Sequence, residues 1–268
     1  YAEPMVSIKN PLSQSESTLR PNLFISLINN LIYNTRHFKP DIKAFEIGRV
    51  FSRKDDNLVE SWRAGMLWAG RRGNTITEKS AVDATLLEMK SAAEDALKQM
   101  GIKKWQFAAN TKAPYLHPYR SFEIRVGKDI LAVVGDVHPQ LLKSFNLRTR
   151  PVYMEIFTES LPTYRTSKII FKPFDVTPTV RRDISFWIDR TTPFAHVLDV
   201  IEKTKAPYLK EVVLYDIYDG KKYGNDKINW TLSLVFQRST GALDEEHVAA
   251  SLAPIVKAIQ DKLPIIFA

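Results

Sequence analysis

The chain has 268 residues, 44% hydrophobic and 11% aromatic, with a formal net charge of +8 and no cysteine. That length is generous for one core and suits two domains, while the lack of cysteine excludes disulfides and thiolate metal sites. With no cysteine to protect and no run of about 18 apolar residues, a reducing, cytoplasmic setting is expected and a membrane span is not.

Residues 7–18 form a polar approach with several possible helix caps, and the spacing predicts a helix over 19–35, with Leu23, Leu27 and Leu31 on one face. After Pro40-Asp41, the segment Ala44–Phe51 alternates as a strand, with Phe45, Ile47 and Val50 expected inward and Phe45 and Phe51 in the core. Residues 54–57 read as a turn, and Ala64–Gly70 as a strand buried on both faces. A second helix is predicted over 81–100, capped by Asp83 and stopped at Gly101. Short strands follow at 105–109, 121–126 and 130–134, then a turn into a helix at Pro139 and a strand at 152–157. The stretch from Tyr164 to Pro173 is basic and aperiodic, so one domain is expected over 1–166 and another over 172–268.

The later domain has the clearer pattern. A strand over 183–188 places Ile184, Phe186 and Ile188 on one face, and the helix that follows (193–205) carries Phe194, Val197, Leu198 and Ile201. Strands at 212–218 and 229–236, a turn including Lys221, a helix over 244–263 and a last strand at 265–267 complete β-α-β-β-α-β. That order predicts a ferredoxin-like α+β fold, with both helices on one sheet face and the other face free to stack unpaired bases.

Charge is unevenly placed. Residues 1–169 carry 25 Lys+Arg against 17 Asp+Glu, whereas residues 170–268 carry 13 against 13. A basic body suits a polyanionic partner, and equally an ordinary solvated surface, so charge alone does not mark the later domain as an RNA binder. The five histidines show no metal-ligand spacing, and no glycine-rich phosphate loop or nucleophile elbow occurs. No self-contained catalytic site is expected. The start, Tyr1-Ala-Glu-Pro4, has neither an initiator methionine nor a signal-peptide profile, which suggests a piece of a longer chain.

Several motifs occur in a telling order: Asn10-Pro-Leu-Ser, Ser17-Thr-Leu-Arg20, Phe45-Glu-Ile-Gly-Arg-Val-Phe51, Leu116-His-Pro118 and Gly135-Asp-Val-His-Pro139. Val180-Arg-Arg-Asp-Ile-Ser185 and Leu214-Tyr-Asp-Ile-Tyr-Asp-Gly220 follow them. Together they resemble the bacterial phenylalanyl-tRNA synthetase β chain over nearly the whole sequence. The resemblance implies a class II synthetase-like domain, of mixed or antiparallel sheet, that lacks the ATP-binding residues, followed by a ferredoxin-fold anticodon-binding domain. It further implies an α-chain partner in an (αβ)2 assembly, with ATP and magnesium on that α chain and tRNA(Phe) as substrate. The family's amino-terminal oligonucleotide-fold, editing and DNA-binding-like modules have no counterpart in this sequence. Ser239–Asp244 and Phe267-Ala268 depart from the family pattern and put contacts at that end in doubt.

On the same resemblance, Tyr218 is the expected base-stacking residue, with Ser185 and Asn229 beside it as hydrogen-bonding partners. Tyr218 could instead pack at its strand end while Tyr215 or Tyr223 is exposed. Arg181 and Arg182 are candidates for phosphate contacts or for structural ion pairs, and Asp183 beside them leans toward the latter. Asp216 and Asp219 read as turn formers. A rival reading, a ferredoxin-like regulatory module for a small metabolite, asks for a concave and partly apolar pocket.

Overall fold

A computed structural model describes residues 5–13, 17–55, 57–71, 84–164, 174–220 and 222–267. The chain divides into two compact units, residues 1–170 and 171–268. The predicted cap Asp83, the turn residue Lys221, the last residue Ala268 and the expected linker after Tyr164 lie outside the described residues.

The first unit contains helix α1 (Phe24–Arg36), a long hairpin of β1 (Ile42–Lys54) and β2 (Asn57–Ala69), and helix α2 (Leu86–Gln99). Strands β3 (Gln106–Ala109), β4 (Leu116–Val126) and β5 (Asp129–Val137) follow, then α3 (Pro139–Ser144), β6 (Val152–Phe157) and the short α4 (Leu161–Tyr164). Its six strands form one sheet in the order β1-β2-β6-β5-β4-β3. Every neighbouring pair is antiparallel. Because side chains alternate along a strand, the sheet has two faces to cover. Helix α1 covers one, setting Phe24, Leu27 and Leu31 against Leu67, Val133 and Tyr153. Helix α2 covers the other, setting Met89, Ala93 and Leu97 against Ala132, Val134, Met154 and Ile156.

Helix α2 begins at a capping box. Glu88 N donates to Thr85 Oγ1 at 3.3 Å, and Thr85 N donates to Glu88 Oε2 at 3.0 Å. Thr85 therefore satisfies the helix start that the sequence pattern gave to Asp83. Gly101, just past the end, has φ of 86°, as a helix stop requires.

The hairpin overturns one expectation. Phe45 and Ile47 are 73% and 64% exposed, while Val50 is buried at 3% and Phe51 only half-buried. The cause is the closeness of α1. A β-carbon on Gly65 would stand 3.1 Å from Leu23 Cβ and 3.2 Å from Leu27 Cδ1. Small residues must face the helix, so the bulky ones on β1 turn outward.

A buried polar cluster lies on the α1 face. Glu155 is 1% exposed and accepts a hydrogen bond from Tyr153 Oη at 2.6 Å. Arg63 Nε approaches it to 3.7 Å, and Arg63 also pairs with Glu159. Burial outweighs these partners and pushes the Glu155 carboxyl up to about 7.

The second unit runs β7 (Val180–Asp189), α5 (Phe194–Glu202), β8 (Leu209–Tyr218), β9 (Lys227–Phe236), α6 (Glu245–Lys262) and β10 (Ile266–Phe267). Its sheet order is β10-β7-β9-β8, again antiparallel at every step. The predicted ferredoxin-like α+β arrangement is the observed one. Ile184, Phe186, Ile188, Trp230, Leu232, Leu234 and Phe236 meet Val197, Ile201, Val248, Ile255 and Ile259 in a single core. Strand β8 begins three residues earlier than its alternation predicts, because bulges between Leu209 and Glu211 and between Leu214 and Asp216 break the period.

Candidate nucleic-acid interface

The two helices occupy one face of the second sheet, and residues between the core positions form the other. Strand register arranges that face in rows. Tyr218 pairs with Asn229, Asn229 with Trp187 and Trp187 with Ile266. The next row joins Asp216, Thr231 and Ser185, and the last joins Glu211, Val235 and Arg181.

Trp187 sits between the core residues Phe186 and Ile188, so its ring belongs to the helix-free face. Even so, it is only 3% exposed. Two tyrosines cover it. Its ring meets Tyr218 at 6.2 Å and 77°, and Tyr223 at 5.3 Å and 67°, both edge-on. Gly220 completes the packing, since a β-carbon there would overlap the Tyr218 ring and stand 3.1 Å from Trp187 Cη2. The Tyr-Asp-Gly end of β8 thus needs its glycine for close approach. Tyr218 nevertheless keeps 60% of its surface exposed. Such a ring can accept a base by stacking, which contributes about 1–3 kcal/mol per base.

Beside the aromatic row, Ser185 Oγ donates to Asn229 Oδ1 at 2.9 Å and lies 3.1 Å from Thr231 Oγ1. The serine has one proton and gives it to the amide, so Thr231 is the donor in the second contact. The structure therefore brings Ser185, Asn229 and Tyr218 together on one face. Asn229 is 7% exposed, deeper than a freely solvated polar residue.

The two arginines part company. Arg181 is exposed on the helix-free face, in the row with Glu211 and Val235. Arg182 lies on the opposite side, where its Nη2 contacts Glu245 Oε1 and Oε2 at 2.5 and 2.7 Å. That geometry gives Arg182 a structural ion-pair role at the start of α6.

Sequence reasoning missed three contributors: Trp187, Thr231 and Arg190. The alternation of Ile184, Phe186 and Ile188 already put Trp187 on the free face, but its burial depends on rings that come later in the chain. Arg190 grips Asp219 through its two terminal guanidinium nitrogens, at 2.5 and 3.1 Å, and donates from Nε to Asn225 O at 3.3 Å. Its fork holds the Asp219 carboxyl below the ordinary carboxylate range. Asp219 is thus an ion-pair partner as well as a turn residue.

Elsewhere, the described residues contain no group of three or more His, Cys, Asp or Glu that could hold a metal, and no helix long and apolar enough to cross a membrane. A cleft of about 450 Å³ runs along the edge of β8, lined by residues that include Leu198, Ile201, Lys205 and Leu209.

Comparison with known proteins follows the same division. Residues 176–267 match the family described as "Ferredoxin-fold anticodon binding domain". That match favours a nucleic-acid face over a metabolite pocket for the second unit. The chain is 27% identical over 267 residues to the phenylalanine–tRNA ligase beta subunit of Fusobacterium nucleatum, covering 98% of this chain and 33% of that protein. To the beta subunit of Legionella pneumophila (strain Paris) it is 29% identical over 265 residues, covering 97% and 33%. To that of Carboxydothermus hydrogenoformans it is 26% identical over 259 residues, covering 96% and 32%. The chain thus spans about a third of the length of the curated relatives it matches. Residues 2–158, more than half of the sequence, match the family described as "Phenylalanyl tRNA synthetase beta chain CLM domain", and the chain belongs to that family.

Proposed function

We propose that this chain is the carboxy-terminal part of a cytoplasmic phenylalanine–tRNA ligase β subunit. It helps assemble an (αβ)2 enzyme and holds the anticodon region of tRNA(Phe). The observation that carries this reading is the exposed Tyr218 ring on the helix-free face of an anticodon-binding fold, seated on buried Trp187 and flanked by Ser185 and Asn229. Binding there supports the parent reaction by fixing the tRNA, since positioning a substrate lowers the barrier without chemistry at the binding residues. Adenylation, with its ATP and magnesium, belongs on this reading to the α chain.

The α chain also needs a surface. Phe45, Ile47, Leu58 and Trp62 form an exposed apolar band on the β1–β2 hairpin, 50–73% accessible. Lys43 lies over Trp68 at 3.9 Å, and Arg49 over Trp62 at 5.3 Å. An apolar band with a cationic border is the kind of surface that a stable partner covers, and we assign it to the α chain.

The decisive experiment is Tyr218→Ala in the assembled ligase. The tRNA KM is expected to rise about tenfold or more while the amino-acid KM holds. An unchanged tRNA KM would remove Tyr218 from the site.

A further inference from the structure

Tyr223 lies in the turn between β8 and β9, outside the strand positions on which the RNA reading was built. Its ring leans on the same indole as Tyr218. Trp187 is 3% exposed, whereas Tyr218 and Tyr223 keep 60% and 38% of their surfaces open. One buried ring therefore props two half-solvated ones, each edge-on to it.

The turn that carries Tyr223 is held at both ends by one side chain. Arg190 pairs with Asp219 before the turn and donates to Asn225 O after it, and its own backbone N donates to Asp226 O at 2.8 Å. Gly224 takes φ of 91° and lets the chain reverse immediately after the ring. Arg190 thus ties together Asp219, Asn225 and Asp226, which flank Tyr223. Lys222 Nζ lies over the Tyr223 ring, 5.3 Å from its centroid, which sets a cation above one side of the second ring.

Two partly exposed aromatic rings on one shared indole, with a cation over one of them, match a dinucleotide step of single-stranded RNA: two bases and the phosphate between them. We infer that Tyr223 is a second base-stacking position. It takes the base next to the one on Tyr218, with Trp187 as the shared positioning residue and Lys222 against the intervening phosphate. This inference rests on the RNA reading above.

The test uses the assembled ligase with tRNA transcripts that carry a single abasic position, moved stepwise through the anticodon loop. Tyr223→Ala is expected to weaken tRNA binding roughly 5- to 150-fold, the range that base stacking spans, and Tyr223→Phe by no more than about twofold. The Tyr223→Ala effect should vanish on one abasic transcript, and the Tyr218→Ala effect on its neighbour. Trp187→Leu should weaken binding at both positions, and Trp187→Phe should restore much of it. Unchanged affinity in Tyr223→Ala beside a weakened Tyr218→Ala overturns the inference and leaves the RNA reading intact. Silencing of both variants by the same abasic position also overturns it. If neither variant weakens binding, the RNA reading itself falls.

Discussion

Gly220 and Tyr218 touch so closely that no β-carbon fits between them. The glycine is the slot in which the tyrosine ring stands, with Trp187 as its floor.

Gly220→Ala should therefore unseat the ring without touching it chemically. Its tRNA affinity is expected to fall about tenfold or more, as in Tyr218→Ala, and the double variant to fall little further. Binding isotherms for the two single variants and the double variant check this. Strictly additive losses would show that Gly220 acts through something other than Tyr218.

Arg181 and Arg182 should separate in a salt titration. Arg182→Ala removes the pair with Glu245, a surface contact worth about 0–1 kcal/mol of stability, and a local hydrogen bond from Nη1 to Arg181 O at 2.9 Å, and should leave tRNA affinity unchanged. Arg181→Ala should lower affinity and reduce the slope of log K against log salt by about 0.7. Equal changes in slope for the two variants would refute the face assignment.

Glu155 predicts a pH dependence of the first unit. Its carboxyl is raised from 4.5 to about 7 by burial, so the folded chain holds the proton more tightly than the unfolded one. The associated stability, on the order of a few kcal/mol, is fully present below the unfolded value and is lost as pH rises through 7. Glu155→Gln keeps an acceptor for the Tyr153 hydroxyl and should flatten the loss. Thermal melts from about pH 5 to 8 would show a shallower slope and a higher Tm at the alkaline end. A slope identical to wild type would mean that Glu155 is not the titrating group.

The hairpin band can be probed with little cost to folding. Phe45→Glu and Ile47→Glu replace exposed side chains, so the stability of the chain itself should move by no more than about 0.5 kcal/mol. Recovery of the α chain on co-purification should drop. Full recovery with both substitutions present would place the α-chain contact elsewhere.

These outcomes bear on how far a sequence can be read. In the second unit, the alternation of Ile184, Phe186 and Ile188 and that of Trp230, Leu232, Leu234 and Phe236 were sufficient, because the apolar side of each strand is also the helix side. On β1 the same logic failed. Alternation says that a strand has two faces but not which is inward. There, the nearness of α1 forces Ala44 and Gly48 in and Phe45 and Ile47 out. In the site, Tyr218, Ser185 and Asn229 were legible as neighbours across strands. The burial of Trp187 was not, since it takes the Tyr218 ring at β8's end and the Tyr223 ring from the turn beyond it to produce it. Nor was the division between Arg181 and Arg182, which depends on where Glu245 begins α6.

The contrast between a cationic first unit and a neutral ring-bearing sheet has a kinetic meaning. Long-range attraction raises encounter frequency, whereas contacts made only on arrival govern residence time. For an RNA partner, added salt should slow association through the excess charge of residues 1–169 and shorten the lifetime of the complex only through the few phosphate contacts, such as that of Arg181. Loss of the Tyr218 ring should do the opposite, shortening the lifetime without slowing approach.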